Sequence, residues 1–82
     1  MKATIEISLY PLREEFIPEI DDFIARMKSV AFLTVRVNET STHISGDYDK
    51  VMDAVQSEIK TTFGHEGKFV FAMKVLKGDL LG

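Results

Sequence analysis

A small group of neutral polar side chains carries most of the chemistry that this sequence offers. Ser8 and Tyr10 alternate near the end of one segment, and Asn38, Ser41 and Thr42 surround the connection between two later segments. Hydroxyl and carboxamide groups donate and accept hydrogen bonds, and a phenol ring adds a flat apolar wall. This combination suits a small heteroaromatic ligand, although the same residue types are also ordinary at strand ends and turns.

The residue types of acid–base and metal chemistry are scattered instead of clustered. His43 and His65 are the only imidazoles, and their separation shows no metal-ligand spacing. The adjacent carboxylates at 14–15 and 21–22 point in different directions on a helix or turn, so neither pair forms a dyad. The serines lack a nucleophile elbow. We therefore expect no catalytic residue, no bound metal ion and no other cofactor.

Length and composition indicate one ordinary globular domain. The chain has 82 residues, of which 45% are hydrophobic and 28% charged, so we expect a single domain over 1–82 with a small core. The absence of cysteine excludes disulfides and thiolate chemistry.

Charge and hydropathy patterns restrict the partners. The net charge is −3 with no run of Lys or Arg, which argues against nucleic acid as a partner. The sequence has no apolar run of the roughly 18 to 20 residues that cross a bilayer. We therefore expect no membrane insertion. The first residues enter a strand directly, so we expect a cytoplasmic protein.

The polar residues must be positioned by the segments that contain them, and the first of these is ATIEISLY at 3–10. Its odd-numbered residues are apolar and its even-numbered residues carry polar atoms. A period of two predicts a strand with one buried face. Such a strand needs helices against its apolar face and further strands at its edges.

The following segments supply both requirements. We expect Pro11 to end pairing and a helix to begin near Ile17, followed by a second strand at 31–38. A two-residue turn at 39–40 would lead into a third strand at 41–45. In this antiparallel register Asn38 lies opposite Ser41, and the residues before Asn38 lie opposite the residues after Ser41.

A second helix and a fourth strand complete the pattern. Gly46 and Asp47 separate the third strand from this helix, and Asp47 is expected to be its N-cap through a side-chain hydrogen bond. Gly64 is expected to end the helix in a left-handed conformation. The last strand is predicted at 68–76.

The predicted element order is βαββαβ, which is typical of an α+β, ferredoxin-like sandwich. Right-handed crossovers give a four-stranded antiparallel sheet in the order 4-1-3-2, with both helices on one face. The start of the third strand then lies beside the ends of the first two. Ser8, Tyr10, Asn38, Ser41 and Thr42 are therefore expected to gather at one rim of the sheet.

Glu6 has two possible roles on the helix-free face. It could provide an anion for a cationic ligand, or it could pair with His43 on the adjacent strand or reach towards Arg36. Pairing is the commoner role for a cross-strand carboxylate.

The last strand is apolar on both faces, because Val70 and Ala72 alternate with Phe69, Phe71 and Met73. We expect another subunit to cover the second face, either by sheet packing or by extension of the edge. This predicts a homodimer or homotetramer that assembles through the sheet.

Three segments resemble a known family: SLYPL at 8–12, STHISGDYD at 41–49 and FVFAMKVL at 69–76. They are similar to the YkoF-like thiamine-binding proteins. The resemblance implies a non-enzymatic domain that binds thiamine or its hydroxymethylpyrimidine moiety in vitamin salvage, transport or sensing. Of the candidate ligand-binding residues, Ser8, Tyr10, Ser41 and Thr42 match segments of that family. Geometry alone adds Asn38 and Glu6.

Two alternatives of other classes remain open. One is a small dimeric ferredoxin-like enzyme, such as a cofactor-free oxygenase or isomerase, which would need Glu6, Arg36 or His43 for its rate. The other is a regulatory module that senses amino acids at subunit interfaces.

Overall fold

The alternating first segment forms an inner strand of a four-stranded antiparallel sheet in a computed structural model, which describes residues 1–81. The elements in chain order are β1 (Lys2–Pro11), α1 (Ile17–Lys28), β2 (Thr34–Val37), β3 (Thr42–Asp47), α2 (Tyr48–Phe63) and β4 (Phe69–Lys77). The strand order is β2-β3-β1-β4. The predicted ferredoxin-like fold and sheet order are therefore confirmed, since 4-1-3-2 is the same order counted from the opposite edge.

The odd-numbered residues of β1 form the centre of the core, as their period predicts. Ile5 and Ile7 are 0% and 1% exposed, and both strands next to β1 pair with it antiparallel. Both helices cover this face, and their main buried residues are Phe23, Met27, Val51 and Val55. Within residues 1–81, neither helix has the length and apolar character that crossing a bilayer requires.

Pro11 does not end the pairing of β1, contrary to the prediction. It lies opposite Phe69, and Leu12 N then donates to Lys68 O over 2.9 Å. Neighbouring residues of a strand direct their N–H groups to opposite edges, so the proline's missing donor falls on the β3 side. Pairing with β3 reaches only Ile7, so no acceptor is left without a partner there.

The β2–β3 hairpin has the predicted turn and register. Asn38 N donates to Ser41 O over 2.8 Å across the turn at 39–40. The pairs behind it are Val37 with Thr42, Arg36 with His43 and Val35 with Ile44.

β2 is shorter than the predicted strand at 31–38, because it begins at Thr34. Leu33 N donates to Val30 O over 3.2 Å, and this turn takes Ala31 and Phe32 out of the ladder.

β3 continues through Gly46 to Asp47, two residues beyond the predicted end. A Cβ at Gly46 would lie 3.2 Å from Val51 Cγ2 and 3.3 Å from Leu33 Cδ2. Glycine at this position therefore permits close packing of α2 on the strand, instead of a break in the strand.

Two predicted helix caps are wrong. Asp47 occupies the N-cap position of α2 but makes no side-chain cap hydrogen bond, and its carboxylate lies 4.0 Å from the N-terminal amine. Gly64 remains in the right-handed helical region. The chain instead reverses at Gly67, whose φ of +119° is a conformation that favours glycine.

The segment after β4 folds back over the helix-free face. Leu80 N donates to Thr4 Oγ1 over 3.0 Å, and Ser45 Oγ donates to Asp79 Oδ1 over 2.7 Å. Thr4 and Ser45 belong to the polar face of the sheet, yet they are 2% and 1% exposed. The helix-free face is thus covered at the end opposite the predicted rim.

Arg26 joins the two helices through a hydrogen-bonded network. Its Nη1 lies 2.6 Å from Glu58 Oε1, its Nη2 donates to Thr62 Oγ1 over 2.6 Å, and its Nε lies 3.0 Å from Asp22 Oδ2. The Arg26 and Glu58 side chains are only 21% and 20% exposed, so water replaces these bonds poorly.

We expect Arg26→Met to lower the free energy of unfolding by about 1–3 kcal/mol, because the half-buried Glu58 carboxylate loses its partner. Urea denaturation measures this change. Lys28→Met is the matched control at an exposed position of the same helix. If both substitutions lower the free energy of unfolding equally, the effect comes from the loss of one positive charge and not from the hydrogen bonds of Arg26.

Candidate functional site

A cavity of about 490 Å³ opens at the predicted rim of the sheet. Its walls are the end of β1 with the turn after it (7–12), one face of α1, and the β2–β3 turn (38–42). The volume lies within the range of small-molecule sites, about 300–1,000 Å³. The lining is mainly apolar, with polar groups contributed by the strand ends.

Five of the six predicted ligand-binding residues line this cavity: Ser8, Tyr10, Asn38, Ser41 and Thr42. The fold brings them together because β1 extends past the start of β3. Pairing with β3 covers only 2–7 of β1, whereas pairing with β4 covers 3–11. Their contact with a ligand stays a prediction.

Glu6 is the exception, since it does not line the cavity. Its Oε2 lies 2.8 Å from His43 Nε2 and its Oε1 lies 3.6 Å from Lys74 Nζ. The structure therefore shows the cross-strand pairing that the sequence favoured for this carboxylate. Its geometry does not support the alternative of an anion beside a ligand in this cavity.

The hydroxyl groups of the cavity differ in their hydrogen bonding. Ser8 Oγ donates to Thr40 O over 2.8 Å, which ties β1 to the turn. Within residues 1–81, the side chains of Tyr10, Ser41 and Thr42 make no hydrogen bond. Thr42 is only 5% exposed as a residue, but within residues 1–81 no buried side-chain polar atom lacks a hydrogen-bond partner, so its unbonded hydroxyl is accessible beside the cavity.

The α1 wall of the cavity was missed by the sequence analysis. Phe16, Ile20, Phe23 and Ile24 recur at a helical spacing that predicts burial in the core, whereas the predicted site contains only residues of strands and turns. The cavity instead reaches between the sheet and α1. The sequence contains one signal of this wall, the large apolar residue Leu12 in the connection between β1 and α1, which also lines the cavity.

The helix-free face carries a row of ionisable side chains across all four strands. Lys74, Glu6, His43 and Arg36 are neighbours in the β4-β1-β3-β2 register. With Thr4 and the leucines of the folded-back segment, they line a second hollow of about 370 Å³. The hydrogen bond from His43, followed by the charge of Lys74, lowers the pKa of Glu6 below its ordinary value.

The lowered pKa of Glu6 predicts an acid-dependent stability. The folded state favours the ionised carboxylate, so its contribution is complete above pH 4.5 and is lost as the pH falls from there through the folded-state pKa. We expect wild type to be more stable than Glu6→Gln at neutral pH, and the difference in melting temperature to vanish in acid.

Thermal melts between about pH 7 and about pH 3 measure this difference. Glu15→Gln is the control, because the Glu15 side chain makes no hydrogen bond or ion pair within residues 1–81. A difference between wild type and Glu6→Gln that is the same at every pH would contradict the prediction.

No group of three or more His, Cys, Asp or Glu side chains within residues 1–81 could hold a metal ion. The described lining of the cavity provides hydrogen-bonding groups, apolar contact and one carboxylate, that of Glu39 in the turn.

Comparison with known proteins identifies the family. The model of the YkoF-related family matches residues 2–74. The chain belongs to this family. The resemblance found in the three sequence segments is thus confirmed over most of the chain. No curated protein matches the chain significantly.

Solved structures share the fold along nearly the whole chain. A Streptococcus pneumoniae protein is 26% identical, with a TM-score of 0.85 and coverage of 99% of this chain and 91% of its own. A Thermotoga maritima protein, provisionally assigned to thiamine biosynthesis or salvage, is 21% identical, with a TM-score of 0.84 and coverage of 95% and 85%. A hypothetical Methanocaldococcus jannascii protein is 22% identical, with a TM-score of 0.80 and coverage of 95% and 81%.

Proposed function

We propose that this domain binds thiamine or its hydroxymethylpyrimidine moiety in the rim cavity, without turning it over, in vitamin salvage, transport or sensing. Membership of the YkoF-related family supports a thiamine-related role, as does the provisional assignment of the Thermotoga maritima protein. The observation that carries the proposal is a largely apolar cavity whose lining includes the hydroxyls of Tyr10, Ser41 and Thr42, which make no hydrogen bond within residues 1–81.

The aminopyrimidine ring matches this cavity chemically. Its ring nitrogens accept hydrogen bonds and its amino group donates them, so hydroxyls that can do both are suitable partners. Thr42 and Ser41 provide such hydroxyls at the base and edge of the cavity. The Tyr10 ring, which is 51% exposed, provides a surface for the flat face of the ligand.

Binding without turnover is supported by where the acid–base groups lie. Glu6, His43 and Arg36, which the enzyme alternative would need, line the second hollow on the helix-free face. They do not line the rim cavity. A ligand in the rim cavity would therefore meet hydroxyls, apolar walls and the exposed Glu39 carboxylate, and not the group of Glu6, His43 and Arg36.

Assembly of copies through the sheet belongs to the same proposal. β4 pairs with β1 at one edge, and within residues 1–81 no strand pairs with its other edge. Met73 and Val75 on its core face are 44% and 48% exposed, and Val70 on the opposite face is 46% exposed. A homodimer or homotetramer would remove these apolar surfaces from water.

Titration calorimetry tests the binding directly. We expect thiamine and hydroxymethylpyrimidine to bind with dissociation constants below about 1 mM and to raise the melting temperature. Tyr10→Ala should weaken binding about threefold to tenfold through loss of the stacking surface. Tyr48→Ala is the matched control, since this tyrosine is similarly exposed at 41% but begins α2 and does not line the cavity.

Absence of heat and of thermal stabilisation at millimolar ligand would refute the proposed binding. Thiamine recovered unchanged after prolonged incubation is the expected result for a binder. Conversion of thiamine that is lost on substitution of Glu6, His43 or Arg36 would favour the enzyme alternative.

Thr42→Val separates binding from stability. Valine keeps the shape of threonine and removes a hydroxyl that makes no hydrogen bond within residues 1–81, so we expect unchanged or higher stability. Ligand affinity should fall about threefold to tenfold, because one hydrogen bond to the ligand is lost. Melting curves and calorimetric titrations of the same variant measure both effects.

Thr4→Val is the control for that substitution. The Thr4 hydroxyl donates to Gly78 O over 2.8 Å and accepts from Leu80 N, so its removal should destabilise the fold. It lies outside the rim cavity, so affinity should not change. If Thr42→Val and Thr4→Val lose the same stability and Thr42→Val keeps its affinity for the ligand, the Thr42 hydroxyl does not contact the ligand.

A further inference from the structure

The charge of the rim cavity is concentrated in one side chain. Among residues 1–81, Glu39 is the only charged residue in its lining, and no Lys, Arg or His of this part of the chain borders the cavity. Within residues 1–81 the Glu39 carboxylate makes neither a hydrogen bond nor an ion pair, so its charge is not neutralised by a neighbour.

The backbone that carries Glu39 is held in place at the mouth of the cavity. Asn38 N donates to Ser41 O over 2.8 Å across the turn, and Ser8 Oγ donates to Thr40 O over 2.8 Å from β1. These bonds flank Glu39 on both sides and connect the turn to the sheet. The carboxylate is therefore exposed to solvent but limited to the region of the cavity mouth.

Four basic side chains, those of Arg13, Arg26, Arg36 and Lys74, lie outside the lining of the rim cavity. Arg13 donates to Glu66 O and lies over the Phe69 ring, and Arg26 is bound in the network between the helices. Arg36 and Lys74 line the second hollow. Since no basic side chain of residues 1–81 lines the rim cavity, a phosphate group there would have no lining cation to pair with, and it would lie near the Glu39 carboxylate.

We propose that Glu39 makes the rim cavity selective for cationic, unphosphorylated ligands. This rests on the proposed function: the pyrimidine ring occupies the apolar cavity and a positively charged second ring, the thiazolium of thiamine, lies at the mouth beside Glu39. Glu39 takes the role that Glu6 cannot have, because Glu6 is paired with His43 and Lys74 on the helix-free face.

The expected size of the effect follows from the exposure of the pair. Exposed charge pairs change affinity by about twofold to fivefold, and salt screens them over a distance of about 10 Å at 0.1 M. Thiamine monophosphate carries the same cation with an added anionic group, so repulsion by Glu39 opposes the attraction. Hydroxymethylpyrimidine is uncharged at neutral pH and should be indifferent to Glu39.

The experiment compares these three compounds by calorimetry with wild type, Glu39→Gln and the control Asp53→Asn. Asp53 is an exposed acid of α2 that does not line the cavity, so its substitution changes the net charge equally. In Glu39→Gln we expect thiamine to bind about twofold to fivefold more weakly and hydroxymethylpyrimidine to bind unchanged. In Glu39→Gln the ratio of the affinities for thiamine and its monophosphate should also fall. Asp53→Asn should bind all three compounds with the affinities of wild type.

The salt dependence of ligand affinity in the wild-type protein provides a second measurement. Thiamine affinity should fall between about 20 mM and about 300 mM salt, whereas hydroxymethylpyrimidine affinity should not. Selectivity by Glu39 is overturned if Glu39→Gln binds all three compounds as wild type does, or loses affinity for all three equally. If wild type binds hydroxymethylpyrimidine but shows no preference for thiamine over its monophosphate, the proposed function survives and this inference fails. If none of the three binds, both fail.

Discussion

Burial of one face of β1 is the constraint on which the rest of this fold depends. The strand has a neighbour on each edge, and its odd-numbered residues lie under both helices. A shift of one residue in its pairing would move Ile5 and Ile7 from the core to the opposite face. The register with β3 and β4 is therefore strongly specified, and with it the positions of all side chains on the polar face.

The rim cavity is a consequence of unequal strand lengths around β1. β4 pairs with β1 as far as Pro11, whereas the pairing of β3 with β1 extends only to Ile7. Beyond that point the β2–β3 turn and α1 face each other across the end of β1, and the space between them is not filled by protein. The same feature explains why Pro11 is tolerated, because the edge that lacks a donor is the edge that lacks a partner.

The ionisable and the neutral polar side chains occupy different parts of the sheet. On the helix-free face, Glu6 is satisfied by His43 and Lys74, and the segment after β4 covers Thr4 and Ser45. At the rim, the polar side chains that residues 1–81 contribute to the cavity are neutral except for that of Glu39. The hydroxyls of Tyr10, Ser41 and Thr42 make no hydrogen bond within residues 1–81, so they are available to a ligand, and this is why the rim is the better candidate site.

The sequence by itself determined the element order, the sheet order, the hairpin register and the clustering of Ser8, Tyr10, Asn38, Ser41 and Thr42, because these follow from local periodicity and from the handedness of crossovers. Only the tertiary structure decided that α1 forms a wall of the site, that Glu6 is engaged elsewhere and that Glu39 stands at the mouth. Those features depend on where β3 starts relative to the end of β1, and on how closely a helix packs there. Both are set by long-range packing, which the pattern of any single segment does not contain.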